Sequence, residues 1–163
     1  MNATSSEASP GKTKAQRFSQ VFWLTFLVVS LAYAWYSFYA PSNDIVWAED
    51  YEAAQELAVQ EDKPILLFFT GKWCSPCQIM KRQVFADEEV AKNVNASFIP
   101  VTIDVDAAES AAALTRYQIG VTPTTILTDS RGVVLQRKAG GMSKDAFLGM
   151  LGQLDAPAHE AMK

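Results

Sequence analysis

Apolar and polar residues are unevenly distributed along this chain. Between Phe18 and Asn43 there is no charged residue, and the run VFWLTFLVVSLAYAWYSFYA, Val21 to Ala40, is interrupted only by Thr25, Ser30 and Ser37. A helix rises ~1.5 Å per residue and a bilayer core is ~30 Å thick, so this run has the length of a membrane span. Its aromatic residues gather toward the ends, Phe22 and Trp23 at one and Tyr33, Trp35, Tyr36, Phe38 and Tyr39 at the other, where interfacial anchors belong. The pattern predicts a transmembrane signal-anchor helix over 18–40, a linker over 41–44 and a separate folded region beyond it.

From Ile45 the spacing becomes that of alternating strands and helices. A short first strand is expected over 45–47. Tyr51, Ala54, Leu57 and Ala58 recur on one helical face, with Asp50 placed to cap a helix running to about Gln60. Lys63-Pro64 stops it, and Ile65-Leu66-Leu67-Phe68-Phe69 has the unbroken apolar character of a strand buried on both faces. Helices are expected from beyond Gly71 to about Val84 and from Glu88 to Val94, the second capped by Asp87. A strand over 97–105, a helix over 107–117 and a strand over 124–128 follow. Asp104 and Asp106 read as a strand end and a helix N-cap. Asp129-Ser130-Arg131-Gly132 is a turn that joins the last strand to 133–137 as a hairpin. Gly140-Gly141 ends the sheet, and Ser143 caps a closing helix with Phe147, Leu148, Leu151 and Leu154 inward. The tail 156–163 frays, and His159 within it is a bystander. Alternation first, then a hairpin and a last helix, implies an α/β domain over 45–155: a central mixed β-sheet flanked by helices on both faces.

Charge adds direction. The net charge of −4 and pI near 5.0 come with no basic stripe, which excludes nucleic acid as a partner. Residues 1–17, a short disordered tail around Pro10-Gly11, carry Lys12, Lys14 and Arg17 against Glu7. On the far flank Asp44, Glu49, Asp50, Glu52, Glu56, Glu61 and Asp62 precede the first positive charge, Lys63. The positive-inside bias places the N-terminus in the cytoplasm and the folded domain outside. A cleaved signal peptide ending at Ala32-Tyr33-Ala34 is the alternative, and either reading exports the domain. The C-terminal HEAMK has no KDEL-type signal, which favours a bacterial envelope over the endoplasmic reticulum.

Both cysteines of the chain lie in Gly71-Lys72-Trp73-Cys74-Ser75-Pro76-Cys77. A disulfide across a two-residue gap closes almost no loop and adds little stability. A zinc site needs about four ligands, and the rest of the chain offers no cysteine and one histidine, so no metal is expected. A haem-attachment motif requires His after the second cysteine, where Gln78 stands. Redox chemistry is what remains, in an oxidising or redox-managed compartment.

The element order, WCSPC after an apolar strand, and Val121-Thr122-Pro123-Thr124 downstream together resemble the thioredoxin superfamily, over about Ile45 to Leu154. Phe85-Ala86-Asp87-Glu88-Glu89-Val90 followed by Val101-Thr102-Ile103-Asp104-Val105-Asp106 is similar to the C-terminal periplasmic domain of DsbD-type thiol:disulfide interchange proteins. The resemblance implies the thioredoxin fold. It makes Cys74 the exposed nucleophile, Cys77 the buried resolving thiol and Trp73 the tryptophan packed beside them. Thr122 and Pro123 become the cis-proline loop that holds an extended substrate segment. It also exposes a departure: efficient reductases of the family often carry a buried acid six positions before the first cysteine, where this chain has Phe68. Phe68 and Phe69 read as plain core.

The chemistry suits these residues. The thiolate is the attacking species, and CxxC thiols at helix N-termini have pKa values of ~3.5–7.5 against ~8.5 for a free cysteine. Ser75 and Pro76 support the site, because a proline in the first helical turn gives up an N–H that lacks an intrahelical partner anyway. Lys72 reads as a solvated surface lysine.

The chain is therefore expected to be an enzyme. It would be a membrane-tethered thiol-disulfide oxidoreductase of the cytoplasmic membrane that reduces or exchanges disulfides of exported proteins in the periplasm. A membrane electron donor or other redox partner would recycle it, with no cofactor beyond the Cys74–Cys77 disulfide. The alternatives are an oxidase or isomerase, a thioredoxin-fold peptide clamp with incidental redox activity, and copper(I) delivery through soft thiolates.

Overall fold

The computed structural model describes residues 14–39 and 42–160. The side chains of Lys14, Ala15, Phe38 and 155–160, His159 among them, lie outside that description. So do most of the expected tail over 1–17, part of the expected linker over 41–44 and residues 161–163. The described chain divides into two units at Phe38.

The first unit is one helix, α1 (Lys14–Phe38), in which Gln16–Ser37 is long and apolar enough to cross a membrane, with a mean hydropathy of 1.5. None of its described side chains from Gln16 to Tyr36 is buried. Lipid offers no hydrogen bonds, so a polar side chain in such a helix must find its partner at home. The Thr25 hydroxyl does so, donating to the Val21 carbonyl one turn back at 2.8 Å.

The second unit is built on the strand β1 (Ile65–Thr70), every residue of which is buried. Successive side chains of a strand point to opposite faces. Leu66 and Phe68 enter one half-core with Cys74, Cys77, Phe85, Leu127 and Phe147, while Ile65, Leu67 and Phe69 enter the other with Ala54, Val101, Tyr117 and Ile126. β1 pairs in parallel with β2 (Ile99–Asp104) and antiparallel with β3 (Thr124–Thr128), which carries the exposed edge strand β4 (Val134–Ala139). The sheet order is β2-β1-β3-β4, mixed as expected.

Helices cover both faces. α2 (Tyr51–Glu61) is capped by Asp50, which accepts the Ala53 N–H, and lays Ala54 and Ala58 on the second half-core; Leu57, expected inward, is partly exposed. α5 (Ala111–Arg116) lies on the same face, after a single 3-10 turn that replaces the start of the expected helix. On the other face are α3 (Ser75–Met80), α4 (Glu88–Ser97) and α6 (Lys144–Glu160). Asp87 caps α4 through the N–H groups of Glu89 and Val90, and Ser143 receives the Ala146 N–H. Phe85 sits at the centre of this half-core, edge-on to Phe68 at 4.7 Å, Trp47 at 5.3 Å and Phe147 at 5.4 Å.

Three expectations are corrected. Residues 45–47 form no strand: Asn43 takes the Ile45 N–H, Asn95 takes the Val46 N–H and donates to the Asp44 carbonyl, and only Ala48 bridges to Val101. Side-chain amides thus satisfy backbone groups that a sheet ladder would have used. The helix after the cysteines turns π-helical over Lys81–Phe85. α6 continues to Glu160, past the point at which its apolar periodicity stops.

Two stability predictions follow from this packing. Phe85→Ala should cost about 3–5 kcal/mol, since it removes the ring shared by three aromatic contacts. Urea unfolding of the detergent-solubilised chain reads this, and a loss under about 1 kcal/mol would contradict it. Lys144 bonds Asp87 at 3.0 Å and Glu89 at 2.8 Å, and the Asp87 carboxyl is held below its ordinary 3.8, first by the Lys144 hydrogen bond. A depressed carboxyl pKa gives stability that is complete above the unfolded value and lost as pH falls through the folded one. The wild-type melting temperature should therefore drop more steeply than that of Asp87→Asn on acidification below pH 3.8.

Candidate active site at the Cys74–Cys77 disulfide

β1 leads directly into the site. After Thr70 the chain turns at Gly71, whose carbonyl accepts the Cys74 N–H at 3.1 Å. Cys74 is the N-cap of α3, in extended conformation, and its carbonyl accepts the N–H groups of Cys77 at 3.1 Å and Gln78 at 3.2 Å. Ser75 and Pro76 make the first helical positions, and both are exposed. Proline there sacrifices no intrahelical hydrogen bond, because the first N–H groups of a helix have no carbonyl to reach. One helical turn brings the two cysteines to 5.3 Å between Cα atoms, and they are joined as a disulfide.

The expected contrast between an exposed Cys74 and a buried Cys77 is not present in this disulfide form. Their relative exposures are 2% and 0%. The reason lies in the capping geometry: the Cys74 sulfur turns back over the helix start, accepts the Cys77 N–H at 3.3 Å and joins the half-core of Phe68 and Phe85. Both neighbours of Cys74, Trp73 and Ser75, are exposed, so this sulfur lies just beneath the surface.

Trp73 is not core. It is 64% exposed and lies over Gly71, where a Cβ would come within 3.1 Å of its ring. Its indole N–H donates to the Asp106 carboxylate at 2.7 Å. Asp106 does not cap a helix; the short 3-10 turn beyond it has Ala107 at its N-cap position, with no side-chain bond. Asp104 accepts the Asp106 N–H, and the parallel pairing of Thr70 with Asp104 carries this segment to the cysteine turn. Sequence reading missed the Trp73–Asp106 bond. The usable signal was an acidic residue just beyond the strand parallel to the one that ends at the CxxC.

The Thr122–Pro123 peptide bond is cis, and Pro123 is buried. β3 begins one residue later, with Thr124 opposite Phe69, so the loop runs beside the end of β1 that delivers the cysteines. The Pro123 carbonyl is taken by the Gly140 N–H at 2.8 Å, and the Thr124 hydroxyl bonds the Val121 carbonyl at 2.8 Å. Lys72 is exposed, whereas Lys81, one turn beyond Cys77, is partly buried. Burial pushes the Lys81 ammonium down from its ordinary pKa, with the Asp104 carboxylate opposing. The sheet order, the helices on both faces and the cysteine pair capping a helix at the end of the central strand define a thioredoxin-fold disulfide protein.

The thioredoxin-like domain family model matches residues 51–155, and the chain belongs to that family. The thiol:disulfide interchange protein DsbD of Yersinia pestis is 27% identical over 95 residues, which is 56% of this chain. That stretch is only 16% of the relative, so the chain corresponds to a small part of its length. The oxidised C-terminal domain of DsbD from Neisseria meningitidis is 27% identical with a TM-score of 0.54, over 63% of this chain and 90% of that one. A thioredoxin from Thermus thermophilus shares the fold at a TM-score of 0.64 and 24% identity, over 74% and 94% of the two chains.

The Trp73–Asp106 bond generates a prediction. In a background where Trp23, Trp35 and Trp47 are replaced by Phe, Asp106→Ala should release the indole, so that Trp73 fluorescence anisotropy falls. Because the bond is exposed, stability should change by less than about 1 kcal/mol. Unchanged anisotropy would show that Asp106 does not hold the ring.

Proposed function

We propose that this protein is a membrane-tethered thiol-disulfide oxidoreductase that reduces or exchanges disulfides of exported proteins through Cys74 and Cys77. The observation that carries the reading is the disulfide at the N-cap of α3, on the end of a rigid, fully buried strand. A thiolate formed at Cys74 sits where unpaired helix N–H groups and the positive end of the helix dipole face it. After its attack on a substrate disulfide, Cys77 lies one turn away to resolve the adduct. Thr122 and Pro123 supply the edge along which an extended substrate segment would lie, and Trp73 borders it.

Helix α1 supplies the tether, with the N-terminus in the cytoplasm and the domain in the periplasm, as the flanking charges favour. A membrane dithiol carrier would return electrons to the pair. Similarity to the C-terminal domain of DsbD proteins supports an exchange role between a membrane donor and exported acceptors.

The test uses two single variants in the envelope of a bacterial host. Cys77→Ser should accumulate mixed disulfides between Cys74 and exported proteins, seen as reducible high-mass bands, whereas Cys74→Ser should accumulate none. The purified wild-type chain should reduce insulin with a dithiol donor, and Cys74→Ser should be at least about 100-fold slower. A double Cys→Ser variant that retains the cellular function would overturn the reading in favour of a peptide clamp.

A further inference from the structure

Among the described residues three buried side-chain oxygens have no hydrogen-bond partner, the hydroxyls of Thr70, Thr122 and Thr125. Buried polar atoms are partnered in the large majority of cases, so each exception calls for an explanation. The other buried threonines of β3 are satisfied, Thr124 by the Val121 carbonyl and Thr128 by the Asp129 carbonyl. Thr125 is 0% exposed and Thr70 is 3% exposed.

Their placement is specific. Thr125 stands directly across from Phe68 in the β1–β3 ladder, as Leu127 stands across from Leu66. Leu66, Phe68 and Leu127 all belong to the half-core that contains Cys74 and Cys77. By the two-residue period of a strand, Thr70 and Thr125 point into that same half-core. They flank Phe68, one further along its strand and one beside it on the neighbouring strand. Phe68 itself brings no polar atom, so these two hydroxyls are the polar side-chain groups that β1 and β3 turn into the half-core that holds the cysteine pair.

We propose that Thr125, with Thr70 beside it, is a positioning residue for Cys77: its hydroxyl lacks an acceptor while the disulfide is closed and donates to the Cys77 sulfur once the pair is reduced. The inference rests on the oxidoreductase reading above. In the reducing direction, the Cys74 thiolate attacks a substrate disulfide and one substrate sulfur leaves as a thiolate. The Cys77 thiolate then attacks the Cys74 sulfur; the bond from Cys74 to the substrate breaks, its electron pair leaves with the second substrate sulfur, and the Cys74–Cys77 disulfide re-forms. Two electrons pass to the substrate, and the two thiol protons reach the departing thiolates through solvent. A partner dithiol restores the pair. A hydroxyl cannot take up the Cys77 proton as a carboxylate would, but it stabilises the thiolate that must attack. A threonine has one O–H to donate, and a disulfide sulfur is a poor acceptor for it, so the device favours the reduced form.

The experiment equilibrates the full chain in detergent with glutathione buffers and compares wild type with Thr125→Val, Thr125→Ser and Thr70→Val. Valine keeps the shape and removes the hydroxyl. Thr125→Val should shift the dithiol–disulfide equilibrium about tenfold toward the disulfide, about 30 mV for a two-electron couple. Thr125→Ser should stay within about twofold of wild type on the same scale. The pH midpoint for release of a Cys74 mixed disulfide should rise in the valine variant and not in the serine one. A purely structural threonine would move the melting temperatures of both redox forms together and leave the equilibrium and the pH profile in place. If Thr125→Val does not fold, Thr70→Val measured in the same way decides. Valine variants that match wild type within about twofold, while wild type cycles normally, would overturn this inference alone. A wild-type chain that fails to cycle would overturn the oxidoreductase reading first.

Discussion

Burial of β1 on both faces is the constraint on which the remaining structure depends. Six consecutive buried residues leave the strand no freedom of register, because a one-residue slip would exchange Leu66 and Phe68 with Leu67 and Phe69 between two differently shaped half-cores. With the strand fixed, its end is fixed too. Thr70 and Gly71 therefore deliver Cys74 to a set position at the start of α3, and the neighbouring strands bring Asp106 on one side and the Thr122–Pro123 loop on the other. Three segments are brought to the end of β1 that leads to the cysteine pair because all three follow from the pairing of one strand.

That arrangement shows where a thiolate formed at this pair would gain its reactivity. The groups placed to tune the sulfurs would be backbone N–H donors at a helix start and a proline in the first turn. Phe68 gives the half-core beneath the cysteine pair an apolar face, and Phe85 packs edge-on against it at 4.7 Å. The polar side chains that β1 and β3 add to this half-core are the hydroxyls of Thr70 and Thr125, and a hydroxyl would hold a charge in place without taking up a proton. A site built this way would leave the uptake of the resolving proton to solvent or to the substrate.

Much of this was legible in the residues. The apolar run of β1, the Asp50 and Asp87 caps, the turn at Asp129–Gly132 and the inward face of α6 follow from spacing and local hydrogen-bonding rules, so the alternation of elements and the sheet with helices on both faces could be read directly. The CxxC pair is the disulfide at the end of β1, and the Thr-Pro dipeptide is the cis bond just before β3. What could not be read was set by tertiary partners. Asn43 and Asn95 replace a strand ladder at Ile45 and Val46 from as far as 49 residues away. The burial of Cys74 depends on which way its sulfur turns over the helix start. Trp73 is held on the surface by Asp106, a residue 33 positions on. The π-helical stretch after Met80 leaves no local sequence pattern.

The central claim is that this pair works as an electron donor to exported proteins, and its reduction potential tests that most directly. The full chain in detergent would be equilibrated across glutathione and dithiothreitol ratios and the Cys74–Cys77 disulfide quantified by thiol trapping. The value should lie below about −220 mV, in the range of reducing CxxC proteins. A value above about −150 mV would contradict it and make the protein an oxidant or isomerase.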